Sequence, residues 1–194
     1  MTACTTCQGT GKIHNLIDHK CSACAGSGQA GVVFYAGIGA RKTPGPVLDH
    51  LSTIAMQLAL RGFALRSGAA QGADMAFEHG CNMIKGRKVI RCATLSQKAM
   101  DDAAQYHPNW DAIGNDGDAL RARNIKSLHA RNSLVMKGDT LDQLVAFVVC
   151  WTEGGAVKGG TGQALRIAAA HNIPVFNIAV TPIDALWSWL DGTA

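Results

Sequence analysis

Two stretches near the start of the chain follow one plan. Cys4-Thr-Thr-Cys7-Gln-Gly9-Thr-Gly11 is repeated as Cys21-Ser-Ala-Cys24-Ala-Gly26-Ser-Gly28. A Cys-x-x-Cys turn places two thiolates on one bend. Two such turns supply four soft ligands in a tetrahedron, the set a structural zinc takes. Cys4, Cys7, Cys21 and Cys24 are the expected zinc ligands; a dithiol redox pair is the alternative. His14 and His19 lie between the knuckles and are expected to be loop residues, because four cysteines already fill the shell. A unit this short buries no core, so the metal must supply much of its folding free energy.

Three further segments are rich in glycine: Gly37-Ile-Gly39-Ala-Arg41-Lys42, Ser67-Gly68-Ala-Ala-Gln-Gly72-Ala-Asp74, and Thr152 followed by Glu153 to Gly162 with Lys158-Gly159-Gly160-Thr161. Glycine lets backbone N–H groups approach a phosphate, and a helix that follows points its positive end there. Ser67, Thr152 and Thr161 offer hydroxyl donors, while Arg41 and Lys158 offer charge. None of the three is a Walker loop, and a strict GxGxxG is missing. No Ser-His-Asp arrangement or GxSxG is evident. His107 and His129 are candidate acid–base groups or packing residues.

These loops need elements to hold them. Gly31–Ala36, Phe63–Leu65, Lys88–Ala93, Leu144–Trp151 and Ile173–Ile178 read as strands by their length and apolarity. Helices are expected from Val47 to Leu58, from Met75 to a stop at Gly80, over 120–137, over Gln163–His171 and over Ile183–Leu190. Residues 95–119 read as a partly helical excursion with an exposed acidic loop. Trp187 and Trp189 are expected to pack the last helix onto the body or onto a partner chain. This alternation predicts an α/β fold, a Rossmann-like, mostly parallel sheet with helices on both faces, over residues 31–194, preceded by a zinc module over 1–30. Ligands of such sheets bind beyond the carboxyl ends of the strands, so the glycine loops fall where a site belongs.

Composition fits one domain with a small appendage: 194 residues, 47% hydrophobic and 16% charged, too apolar for disorder. No secretory signal is visible, and no apolar run reaches the ~20 residues a membrane span needs. A cytoplasmic protein without membrane attachment is expected. Net charge is only +4. Two basic clusters stand out, Lys85-Arg87-Lys88-Arg91 and Arg121-Arg123-Lys126-Arg131-Lys137; they are solvated faces or a surface for phosphates. Cys81, Cys92 and Cys150 are expected to be buried thiols.

The order YAGIGARKTP, SGAAQGAD, ARN at Ala130–Asn132 and CWTEGGAVKGGTGQALRIA resembles the SLOG superfamily of Rossmann-like domains, DprA/Smf-like and LOG-like, over roughly residues 32–180. It is similar to small phage-type DprA-like members. The N-terminal repeat resembles half of the zinc region of DnaJ-type chaperones over residues 4–28, without the HPD signature. The resemblance implies that Gly37, Gly39 and Arg41 line a first phosphate loop. Ser67, Gly68, Gly72 and Asp74 would form a second, with Asp74 either touching a ribose or capping its helix. Arg131 and Asn132 would border the site, and Gly159, Gly160, Thr161 and Gly162 would hold phosphate. It implies a nucleotide or ADP-ribose-like ligand, with sequestration of a signalling nucleotide as a role. DprA-like binding of single-stranded nucleic acid and a nucleoside-monophosphate phosphoribohydrolase are the alternatives. The LOG motif carries a catalytic glutamate where this chain has Ala164, which speaks against an enzyme unless Glu153 substitutes. A homo-oligomer is a further implication of the resemblance.

Overall fold

The computed structural model describes residues 31–192. The expected module at residues 1–30, with Cys4, Cys7, Cys21 and Cys24, lies outside the described residues. Beyond it, strands and helices alternate: β1 (Phe34–Gly39), α1 (Gly45–Leu60), β2 (Ala64–Ser67), α2 (Ala73–Met83), β3 (Lys88–Ile90), α3 (Gln97–Gln105), α4 (Ala119–Lys137), β4 (Phe147–Trp151), α5 (Gly159–Ala170), β5 (Val175–Asn177) and α6 (Ile183–Asp191). The strands form one sheet in the order β3-β2-β1-β4-β5, and every pairing is parallel. The α/β, Rossmann-like class expected from the alternation is the one observed.

Successive strand residues point to opposite faces, so the central strands β1 and β4 feed two cores. Tyr35, Leu65, Phe147, Val149 and Phe176 pack against α1, α2 and α6. Ala36, Ile38, Val148 and Cys150 pack against α4 and α5. Phe147 sits at the centre of the first core, stacked on Tyr35 at 5.6 Å and met edge-on by Trp189 at 5.6 Å. Burial of such a side chain contributes about 1.5–3 kcal/mol. Trp187 lies under the Arg61 guanidinium at 4.9 Å. Both tryptophans therefore pack α6 onto its own chain. Among the described residues no helix is long and apolar enough to cross a membrane.

Several local expectations are corrected. β1 runs through Gly37 to Gly39 instead of ending before them. α2 does not stop at Gly80, because that glycine marks where α2 lies against α1: a Cβ there would overlap the Ser52 carbonyl. α5 begins inside the glycine run, at Gly159. The acidic stretch is not uniformly exposed. Asp102 is buried and holds Lys137 at 2.5 Å, joining α3 to α4. Cys81 and Cys150 are buried, whereas Cys92 is exposed. Burial pushes the Cys150 thiol up to about 12, so it is inert as a nucleophile at neutral pH.

The basic clusters are also less free than their sequence suggests. Lys88 pairs with Glu78 and Arg91 with Asp139. Arg121 pairs with Asp116, while Arg131 and Lys137 pair with Asp74 and Asp102. Acids distant in sequence thus meet many of the charges that look unopposed along the chain.

β1 passes on to β2 on one side, while β4 pairs with its other side, Gly39 opposite Trp151. The strand order therefore reverses between β1 and β4. Chains leaving neighbouring strands in opposite directions open a crevice at that point.

Candidate functional site

A cavity of about 760 Å³ occupies this crevice. Ile38 to Arg41 at the end of β1, with Thr152 and Glu153 after β4, form its base. One wall is a face of α4: Ile125, Leu128, His129, Arg131 and Asn132. The other is the start of α5: Lys158, Gly159, Gly160, Thr161 and Ala164.

α5 supplies the clearest anion-binding feature. Its first turn closes with Gly162 N–H donating to the Lys158 carbonyl at 2.8 Å. The amides of Gly159, Gly160 and Thr161 come before that bond and have no helical acceptor. They carry the positive end of a 12-residue helix into the cavity, with Lys158 at the cap position. A Cβ built on Gly160 meets only Asn132 Nδ2, at 3.6 Å, so the space over this turn is open to a ligand.

The first two glycine loops behave differently, because a carboxylate of the protein already fills their slot. Asp74 Oδ1 accepts from Gly39 N–H at 3.1 Å, and Oδ2 accepts from Ala70 N–H at 3.4 Å and from Arg131 Nη1 at 3.2 Å. Asp74 thus links β1, the loop after β2, and α4. Both side chains of the Asp74–Arg131 pair are at least nine-tenths buried. Burial raises the Asp74 pKa despite the opposing pull of Arg131 and the two backbone donors. Arg131 Nε is buried with no partner. Arg131 also lines the cavity, so its guanidinium charge is held at the cavity wall.

Five of the expected ligand-binding positions lie outside the cavity lining and shape its frame instead. Gly37 leaves room for Phe77 and Leu65, which a Cβ would meet at 2.6 and 2.7 Å. Gly68 lies against the Arg131 guanidinium, which a Cβ there would overlap. A Cβ on Gly72 would meet the Ala40 carbonyl at 2.5 Å, and one on Gly162 the Val157 backbone at 2.6 Å. Ser67 Oγ donates to the Gly37 carbonyl at 2.7 Å. Gly39, Arg41, Asp74, Arg131, Asn132, Thr152, Lys158, Gly159, Gly160 and Thr161 do line the cavity.

The hydroxyls divide in the same way. Thr161 Oγ1 donates to the Gly39 carbonyl at 2.9 Å, tying α5 to the end of β1. Thr152 Oγ1 accepts from Asn177 Nδ2 at 2.7 Å, which leaves its own proton uncommitted.

A polar network links the two helical walls, and its centre is Gln163, which the sequence does not single out. Gln163 is fully buried. Its Nε2 donates to the Ala103 carbonyl at 3.2 Å, and its Oε1 accepts from Asn132 Nδ2 at 3.1 Å. Asn132 Nδ2 also donates to the Gly160 carbonyl at 2.9 Å, fixing the first turn of α5. His129 Nδ1 lies 2.8 Å from Gln163 Oε1. Since Oε1 is an acceptor, Nδ1 carries the proton and Nε2 is the unprotonated nitrogen. Burial holds the His129 pKa below its usual value, against the opposing effect of the Gln163 bond. His107 stands 4.6 Å away, ring centre to ring centre.

The Ala164 methyl lines the cavity where the LOG resemblance would place a glutamate, and exposed Glu153 lines it from the β4 side. Among the described residues no group of three or more His, Cys, Asp or Glu is gathered to hold a metal.

The sequence matches no protein-family model and no curated protein. Among solved structures it is similar to DNA processing protein A from Helicobacter pylori, described for its single-stranded DNA binding mode. The identity is 18% and the TM-score 0.48, over 75% of this chain and 64% of that one. The chain spans less than two thirds of that protein, and the likeness concerns fold alone.

Proposed function

We propose that the cavity between β1 and β4 binds a nucleotide or a nucleotide-derived, ADP-ribose-like ligand. Its phosphate would lie on the first turn of α5. The observation that carries this reading is the meeting of the α5 N-terminus with the Arg131 guanidinium in the lining of one cavity. Each is suited to an oxyanion, and together they favour more than one anionic oxygen. Lys158 and exposed Arg41 add charge, while Ile125, Leu128 and Ala164 give apolar surface for the rest of the ligand. Binding without turnover, as in sequestration of a signalling nucleotide, fits the alanine at position 164. Hydrolysis of a nucleoside monophosphate would need Glu153; release of base from AMP, lost in Glu153→Ala, is its test. Calorimetric titration of the zinc-loaded full chain with mononucleotides, dinucleotides and ADP-ribose tests the main reading. Saturable binding of at least one supports it, and binding of none overturns it.

A second reading is single-stranded nucleic acid, with the cavity taking one nucleotide of the strand. Exposed Arg41 and Lys158 at the cavity, with Lys126 lying 5.4 Å from the Trp110 ring beside the α4 wall, favour it. Gel-shift affinity would fall steeply with salt, and no shift at low salt would exclude it. The four-cysteine zinc module and a homo-oligomeric state belong to the same proposal.

A further inference from the structure

We infer that His129 accepts a hydrogen bond from a ribose hydroxyl of the bound nucleotide, so that the cavity prefers ribonucleotides to their deoxy forms. This rests on the nucleotide reading above and deepens it.

The argument begins with the order of residues along one helix face. Asn132, His129 with Leu128, and Ile125 occupy successive turns of α4 and line the same cavity wall. Asn132 is tied to Gly160, at the turn where the phosphate is expected. Ile125 is seven positions away, roughly 10 Å along the axis at 1.5 Å per residue. A mononucleotide laid along this wall reaches from one end to the other. Its phosphate meets the Asn132 end, its sugar the middle, and its base the apolar Ile125 end.

The middle position can serve only as an acceptor. Gln163 Nε2 is committed to the Ala103 carbonyl, so Oε1 must receive the His129 Nδ1 proton. Nε2 is then left with a lone pair and no proton. It can recognise only a donor, and the donors in the middle of a nucleotide are the sugar hydroxyls. Leu128 beside it and Ile125 beyond it offer no polar partner to a base.

The test is calorimetric titration of the full chain with AMP, GMP, CMP and UMP and with their 2′-deoxy and 3′-deoxy counterparts. Inorganic pyrophosphate serves as a competitor that occupies the anion subsite alone. Wild-type protein should bind the best ribonucleotide about fivefold more tightly than one of its deoxy forms, the size expected of one neutral hydrogen bond. His129→Ala should bind both forms alike. His129→Gln, which returns an acceptor, should restore the preference. Wild-type protein that competes with pyrophosphate yet binds ribo and both deoxy forms equally would overturn this inference and leave the nucleotide reading standing. Failure of pyrophosphate and of every nucleotide to bind would overturn both. A preference that survives in His129→Ala would assign the hydroxyl to another residue and also overturn it.

Discussion

Arg131 on α4 donates to Asp74 at the start of α2 over 3.2 Å, and both side chains are almost fully buried at the cavity. This pair joins the end of β1, the loop after β2 and α4, because Asp74 also receives the amides of Gly39 and Ala70. Removing one partner of a buried pair leaves the other charge without compensation, at about 3–5 kcal/mol. Arg131→Ala is therefore expected to destabilise the fold by about 3 kcal/mol in urea unfolding. Asp74→Asn leaves the Arg131 charge equally uncompensated and turns an amide NH2 toward a donor, so it should cost a similar amount. Small effects of both would show that the pair does not hold the three segments together.

Gly68 and Gly160 should respond to the same methyl group with opposite changes in stability. At Gly68 a Cβ overlaps the Arg131 guanidinium, so Gly68→Ala must displace it. Stability and ligand affinity should both fall, the former by about 1–3 kcal/mol. At Gly160 a Cβ has room and lies in a helix, so Gly160→Ala should be neutral or stabilising by up to about 1 kcal/mol. The same methyl covers the α5 amides and should weaken ligand binding about tenfold. Melting and titration of the two variants side by side separate frame from site.

Much of the fold could be read from the chain because parallel strands buried on both faces are nearly continuous apolar runs. Less of the site was legible. The glycines at 159–162 look like a loop because glycine is a poor helix former, yet tertiary contacts start α5 there. The phosphate-loop pattern at Gly37 and at Ser67–Asp74 is real as a pattern of close approach. What approaches Gly37 is Phe77 and Leu65, what approaches Gly68 is Arg131, and what receives the Gly39 amide is Asp74; each of these partners is distant in sequence from the glycine it meets. Asp74 neither caps its own helix nor points only at a ligand; its partners lie on three other segments. Gln163 gave only the weak signal of a polar residue in phase with Ile167 on a buried helix face.

Acidification should weaken the fold through histidine. Burial lowers the pKa values of His129, His107 and His171 in the folded state. The unfolded chain then binds more protons below about pH 6.5, so stability is lost as pH falls from there toward the lowered folded values. The melting temperature should drop between pH 7.5 and pH 5.5. The drop should be smaller in His129→Gln, which has no ring to protonate. An identical drop would remove His129 from the cause.

Metal analysis of the purified full chain should find a single zinc, lost on chelation and on replacement of Cys4 and Cys7 by serine. On the four-cysteine proposal each Cys-x-x-Cys would supply half of the shell, so two ligands removed would leave no tetrahedron. Retained zinc after both replacements would contradict the four-cysteine assignment.

The most direct test of the central claim is a crystal structure of the chain with the tightest-binding nucleotide. The phosphate is expected on the amides of Gly160 and Thr161, at the end of the cavity that Arg131 lines. A nucleotide bound away from the β1–β4 crevice, with the first turn of α5 facing only solvent, would contradict it.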